Sequence, residues 1–119
     1  MPAFDYKQAQ EVRDAFAREG ARYLFLGKSG AILLGFPDTT QDADLLCDRS
    51  PDNTERLVRA IASLGFDLTP EQQAEIRRGK DFIQLKNGPF DLDLIFAPDG
   101  IEGFDDAWKR RADVDGFPV

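Results

Sequence analysis

At 119 residues the chain has room for a single domain, and with 42% hydrophobic residues it can bury a core without staples. A net charge of −7 argues against a broad phosphate-coating surface. The absence of histidine removes Ser-His-Asp and Cys-His nucleophiles, His-ligated zinc and histidine acid–base chemistry, so chemistry must rest on carboxylates, lysines, arginines and bound ions. A single cysteine, Cys47, no charged-then-apolar leader and no long apolar run lead to the expectation of a cytoplasmic protein in a reducing compartment, with no membrane association.

Taken in order, Asp5 to Glu19 reads as an amphipathic helix, with Tyr6, Ala9, Val12 and Phe16 at helical spacing and Gly20 as its stop. Tyr23 to Leu26 is a short apolar strand ended by Gly27. Lys28 to Leu34 reads as a short buried helix closed by Gly35, and Phe36 to Gln41, which holds Pro37, as a loop. Asp42 to Cys47 is an alternating strand. Ser50-Pro51 starts a helix as N-cap and first-turn proline, with Leu57, Val58, Ile61 and Leu64 as its buried stripe and Gly65 as its end. Thr69-Pro70-Glu71-Gln72 repeats the signature with a capping-box glutamine, and a helix runs to about Arg78. Asp81 to Lys86 and Phe90 to Phe96 are strands around Asn87-Gly88, a hairpin signal. Phe104 to Arg111 is a last short helix, and Phe117-Pro118-Val119 looks like the start of a strand. The order predicts an α+β (α/β two-layer) domain, with a mixed sheet of about four to five strands and helices mainly on one face.

The most informative feature is Asp42-Ala43-Asp44, followed by Asp91-Leu92-Asp93. Residues two apart on a strand share a face, roughly 6–7 Å apart along the chain. Asp42 and Asp44 then oppose Ala43, Leu45 and Cys47, and Asp91 and Asp93 oppose Leu92, Leu94 and Phe96. If the strands are neighbours, three or four carboxylates meet on one patch of sheet. Such crowding is costly by like-charge repulsion, and a cation relieves it; oxygen-only ligands suit Mg²⁺ or Mn²⁺. The alternative is solvent-facing aspartates on a half-exposed sheet. Upstream, Gly27-Lys28-Ser29-Gly30 lies between an apolar strand and a helix start, where backbone N–H groups and the Lys28 charge can cradle a triphosphate. It is not a Walker loop, because the position that needs the first glycine is Arg22.

Together, Tyr23 to Gly35, then Pro37, Thr40, Asp42 and Asp44, resemble the nucleotidyltransferase superfamily with the DNA polymerase β-like fold, above all its small prokaryotic branches of abortive-infection-type toxins. The resemblance spans about Tyr23 to Phe96. It implies a minimal nucleotidyltransferase fold over 1–119 and a transfer of a nucleoside monophosphate from a nucleoside triphosphate to an acceptor hydroxyl on RNA, protein or a small molecule, with release of pyrophosphate. By the same resemblance Gly27, Lys28 and Ser29 bind the triphosphate, Thr40 fixes the loop before the metal strand, and Asp42 and Asp44 hold Mg²⁺ or Mn²⁺. The third carboxylate is Asp93, with Asp91 as the alternative. Two departures stand out. Lys28 occupies a position that is usually Gly or Ser, and relatives continue past the point corresponding to Val119, so the domain is either minimal or C-terminally trimmed. A second reading is an inactive nucleotide-binding or toxin–antitoxin interaction module, and a homodimer or an antitoxin is the partner it implies. Arg77, Arg78 and Lys80, and Lys109-Arg110-Arg111 beside Trp108, form basic knots open to an RNA role or to helix-end pairing. Trp108 reads as core or interface, and Cys47 as a small buried residue.

Overall fold

The computed structural model describes residues 6–26, 42–96, 104–111, 113–114 and 117–118. Helix α1 (Tyr6–Glu19) follows the expected stripe, with Ala9, Val12, Ala15 and Phe16 buried. Gly20 ends it at φ 73°, a left-handed conformation that a side chain would strain, and Ala21 N–H returns to the Phe16 carbonyl at 2.9 Å.

Four strands make one mixed sheet in the order β1–β2–β4–β3. Strand β1 (Tyr23–Leu26) runs antiparallel to β2 (Asp42–Cys47), β2 parallel to β4 (Asp91–Phe96), and β4 antiparallel to β3 (Phe82–Leu85). A parallel pair needs a long crossover, and helices α2 (Pro51–Ser63) and α3 (Pro70–Arg78) supply it before β3. The architecture is α+β.

Alternate strand residues, among them Tyr23, Phe25, Leu45, Leu92, Leu94 and Phe96, meet Phe16 of α1, Leu57 and Ile61 of α2 and Ile76 of α3 in one core. Among the described residues, three helices thus cover one face. The fourth, α4 (Phe104–Lys109), does not join them: Phe104 is buried against Leu24 on the opposite face, with Leu46, Ala107 and Trp108 packed around. The chain then forms a small antiparallel ribbon of β5 (Asp113–Val114) and β6 (Phe117–Pro118). Among the described residues no helix is long and apolar enough to cross a membrane.

Two local expectations need correcting. The hairpin between β3 and β4 is real, but Leu85 pairs with Leu92, so Asn87-Gly88 is not a two-residue turn. Instead Asn87 donates its side-chain amide to the Asp67 carbonyl and to Gln72 Oε1, and Gly88 lies against the Phe66 ring. Tertiary partners, not the turn dipeptide, set the loop.

Ser50 occupies the N-cap position of α2, yet its hydroxyl caps nothing and donates to Asp48 Oδ2 at 3.1 Å. At N3, where a capping box places Glu or Gln, stands Asn53, and its side chain is turned away to the strand ends. Thr69, by contrast, forms the full box: its hydroxyl accepts from Gln72 N–H at 3.1 Å and its own N–H donates to Gln72 Oε1 at 3.0 Å. Thr69→Ala is therefore expected to cost about 1 kcal/mol, and Ser50→Ala only a few tenths, in denaturant unfolding. Equal losses would contradict this assignment of the caps.

Candidate functional site

Strand β4 is the centre of the candidate site. Leu92, Leu94 and Phe96 anchor one side of it in the core, which turns Asp91 and Asp93 to the opposite face. The parallel register sets Asp42 opposite Asp91 and Asp44 opposite Asp93. Adjacent strands lie roughly 4.8 Å apart and alternate residues roughly 6.5 Å, so the four Cα atoms mark a patch about 5 Å by 6.5 Å. Leu26 of β1 aligns with Asp44, and Gln84 of β3 aligns with Asp93, so the carboxylates lie in the middle of the sheet rather than on an edge.

Burial bears on the solvent-facing reading of two of these aspartates. Asp91 is 5% and Asp93 7% exposed, and Asp44 is half-buried. Solvent-facing aspartates on an open sheet would not show this. Withdrawing carboxylates from water costs several kcal/mol each unless partners compensate, and neighbouring like charges add to the cost. Among the described residues no set of three acidic or cysteine side chains is grouped closely enough to hold an ion. For Asp42 only the backbone is described, and Gly27, Lys28, Ser29 and Thr40 lie outside the described residues. What the structure brings together is the two D-x-D segments, side by side and in register.

The strand ends nearby are pinned by a network that the sequence did not announce. Asn53 is 1% exposed; its Oδ1 accepts from Arg22 N–H at 2.7 Å, and its Nδ2 donates to the carbonyls of Arg22 at 3.1 Å and Asp48 at 2.8 Å. Arg22 Nη1 also donates to Asp48 Oδ2 at 3.1 Å, and its guanidinium lies 5.0 Å from the Phe104 ring centre and 5.5 Å from that of Trp108. Arg22 therefore ties the starts of β1 and α2 to the helix on the carboxylate face. The only sequence hint was a lone arginine set between a helix stop and an apolar strand.

The basic knots resolve differently. Arg77 Nε, in the last turn of α3, pairs with Glu55 of α2 at 2.6 Å, and Lys80 pairs with Glu75 at 2.8 Å. Arg111 stacks over Trp108 at 3.9 Å. Trp108 is half-buried against the second apolar cluster, in keeping with a packing role.

Two buried titratable groups belong to the main core. Burial pushes the Cys47 thiol and the Tyr23 phenol well above their ordinary ranges, with Arg13 pulling Tyr23 partly back. The Tyr23 hydroxyl is buried and has no hydrogen-bond partner among the described residues. A folded-state pKa above the unfolded one contributes stability that is present below the unfolded pKa and lost above it. Stability should thus hold to about pH 8.5 and fall as cysteine and then tyrosine ionise in the unfolded chain. Tyr23→Phe should flatten the part of this fall above about pH 10 and, by removing an unpartnered buried hydroxyl, raise stability by about 1 kcal/mol at pH 7. An unchanged alkaline limb in the variant contradicts the assignment.

No protein-family model, curated protein or solved structure matches the chain.

Proposed function

We propose that the chain is a metal-dependent nucleotidyltransferase that moves a nucleoside monophosphate from a nucleoside triphosphate to an acceptor hydroxyl. The observation that carries this reading is the in-register parallel pairing of Asp42-Ala43-Asp44 with Asp91-Leu92-Asp93. The burial of Asp91 and Asp93 adds to it, because carboxylates brought together on one buried patch of sheet need donors or cations to offset their repulsion and lost hydration.

The donor set fits Mg²⁺ or Mn²⁺: it is all oxygen, strongly negative and mounted on rigid neighbouring strands. In this role Asp42, Asp44 and Asp93 would hold the ion, with Asp91 as the alternative third ligand. The chemistry such an ion would supply there is neutralisation of triphosphate and pyrophosphate charge. Asp93 would also orient the acceptor hydroxyl and accept its proton. The apolar anchors Leu92 and Leu94 hold that carboxylate at a fixed height above the sheet. The Gly27-Lys28-Ser29 turn would take the phosphates, Lys28 contributing charge, and Thr40 would brace the approach to β2.

The test is calorimetric titration of each nucleoside triphosphate, with Mg²⁺, into the wild type and the Asp42→Asn/Asp44→Asn variant. Saturable binding in the wild type, weakened at least about a hundredfold in the variant, is expected. Equal affinity in the two proteins contradicts the site. Binding without pyrophosphate release on any acceptor assigns the inactive nucleotide-binding module instead.

A further inference from the structure

The two edges of the sheet are finished differently. Strand β1, at one edge, has β6 of the C-terminal ribbon beside it. Strand β3, at the other, pairs only with β4 among the described residues. It carries Phe82, which at 47% exposed is the one large hydrophobic side chain that the described residues leave open to solvent. We propose that β3 is the contact surface for a second copy of this chain, the two β3 strands pairing antiparallel about a two-fold axis so that the sheets of both copies become one.

The phase of the ladder shows which groups face outward. Phe96 N–H donates to the Asp81 carbonyl at 3.1 Å, so Asp81, Ile83 and Leu85 turn their backbone groups toward β4, and Phe82 and Gln84 turn theirs away. Nothing blunts that edge: Phe82–Leu85 holds no proline, no charge and no break in register. A two-fold axis normal to the sheet preserves its faces, so residues set opposite each other must belong to the same face. Centred on Gln84, the pairing sets Gln84 against the second copy's Gln84 and Phe82 against the second copy's Lys86, whose stem and ammonium cover the ring. Centred on Ile83 instead, it would set Lys80 against the second copy's Lys86, cation on cation.

Helix α3 makes the edge specific for a second copy. It runs antiparallel to β3: Gln72 in its first turn accepts from Asn87, just past the end of β3, and its last turn leads through Gly79 and Lys80 directly into the strand. Ile76 is in the core and Arg77 reaches Glu55 of α2, so the side of α3 away from α2 presents the exposed Glu71 and Arg78, with Glu75 tied to Lys80. Two such helices, each above an outer pair of strands, lie roughly 10 Å apart and antiparallel across the axis. The acidic first turn of one then faces the basic last turn of the other, Glu71 against the second copy's Arg78 and the reverse. An unrelated strand would fill the edge without matching this charge pattern, and a nucleic acid would meet a chain of net charge −7.

The whole chain is followed by sedimentation and light scattering from about 1 μM to about 1 mM, with amide hydrogen exchange at both ends of that range. The mass is expected to rise from one chain to two, and the amides of Phe82 and Gln84 to gain protection as it does. Gln84→Pro removes an outward N–H at an edge where proline is tolerated, and should weaken association at least about tenfold. Arg78→Glu sets acid against acid across the axis and should weaken it by about the same tenfold factor, and Glu71→Arg/Arg78→Glu should restore it. A single-chain mass across the range, protection of the two amides that does not change with concentration, wild-type association in either folded variant, or no recovery in the double variant overturns the proposal. Arg78 is on a helix surface, so its variants keep the test decisive if Gln84→Pro does not fold.

Discussion

Asp93→Asn should reduce nucleotide transfer by at least about a hundredfold while leaving the metal-free protein as stable as the wild type or more so. The two halves of this expectation arise from the same geometry. Asp93 stands in register with Asp44 on the neighbouring parallel strand and is 7% exposed. Replacing one carboxylate by an isosteric amide keeps the shape of the side chain and relieves like-charge repulsion within the patch. If the carboxylates exist to hold a cation, that relief is accompanied by loss of Mg²⁺-dependent protection. Unfolding temperatures with and without 10-fold excess Mg²⁺ over EDTA should therefore differ in the wild type and coincide in Asp93→Asn. A variant that is greatly destabilised without metal, and just as responsive to it, would make Asp93 a structural residue. Asp44→Asn should behave in the same way, since the two aspartates share one register position.

Gly88→Ala is the second large effect expected, and it acts on folding. A Cβ at Gly88 would overlap Cδ2 of the Phe66 ring and stand 2.6 Å from both its Cε2 and Cγ. The ring cannot simply swing aside, because Phe66 is 4% exposed and packs edge-on against Phe90 with ring centres 5.3 Å apart. Phe90 directly precedes β4, so displacement of this pair strains the entry of the strand that carries Asp91 and Asp93. A loss of about 2–3 kcal/mol in denaturant unfolding is expected, the upper part of the overpacking range. A truncating change at Phe66 in the Gly88→Ala background should recover part of it, and strict additivity of the two substitutions would contradict the contact.

Some of this was readable in advance because it depends on local periods. The alternation in Asp42-Ala43-Asp44 and Asp91-Leu92-Asp93 separates carboxylates from apolar neighbours whatever lies around them. The stripes of α1 and α2 and the capping box at Thr69 are equally local. What was not readable depends on residues far apart in sequence. The adjacency of β2 and β4 is a parallel pairing made possible only by the crossover of α2 and α3. The true loop around Gly88 is decided by Phe66 and Asp67, and the face chosen by α4 by Leu24 and Leu46. Ser50 shows the limit from the other side: it carries the same Ser/Thr-Pro signature as Thr69. With Asn53 instead of Gln at N3, and that side chain committed to Arg22 and Asp48, no cap forms.

The account as a whole rests on two carboxylate pairs sharing a divalent ion. It is tested most directly by paramagnetic mapping, in which Mn²⁺ is added in small substoichiometric steps to ¹⁵N-labelled protein. Amide signals of Asp42 to Asp44 and Asp91 to Asp93 should broaden first and together, and Asp93→Asn should abolish that pattern. Broadening that begins instead around surface carboxylates such as Asp52, Glu55 or Glu71, with the two strands unaffected, would contradict the claim.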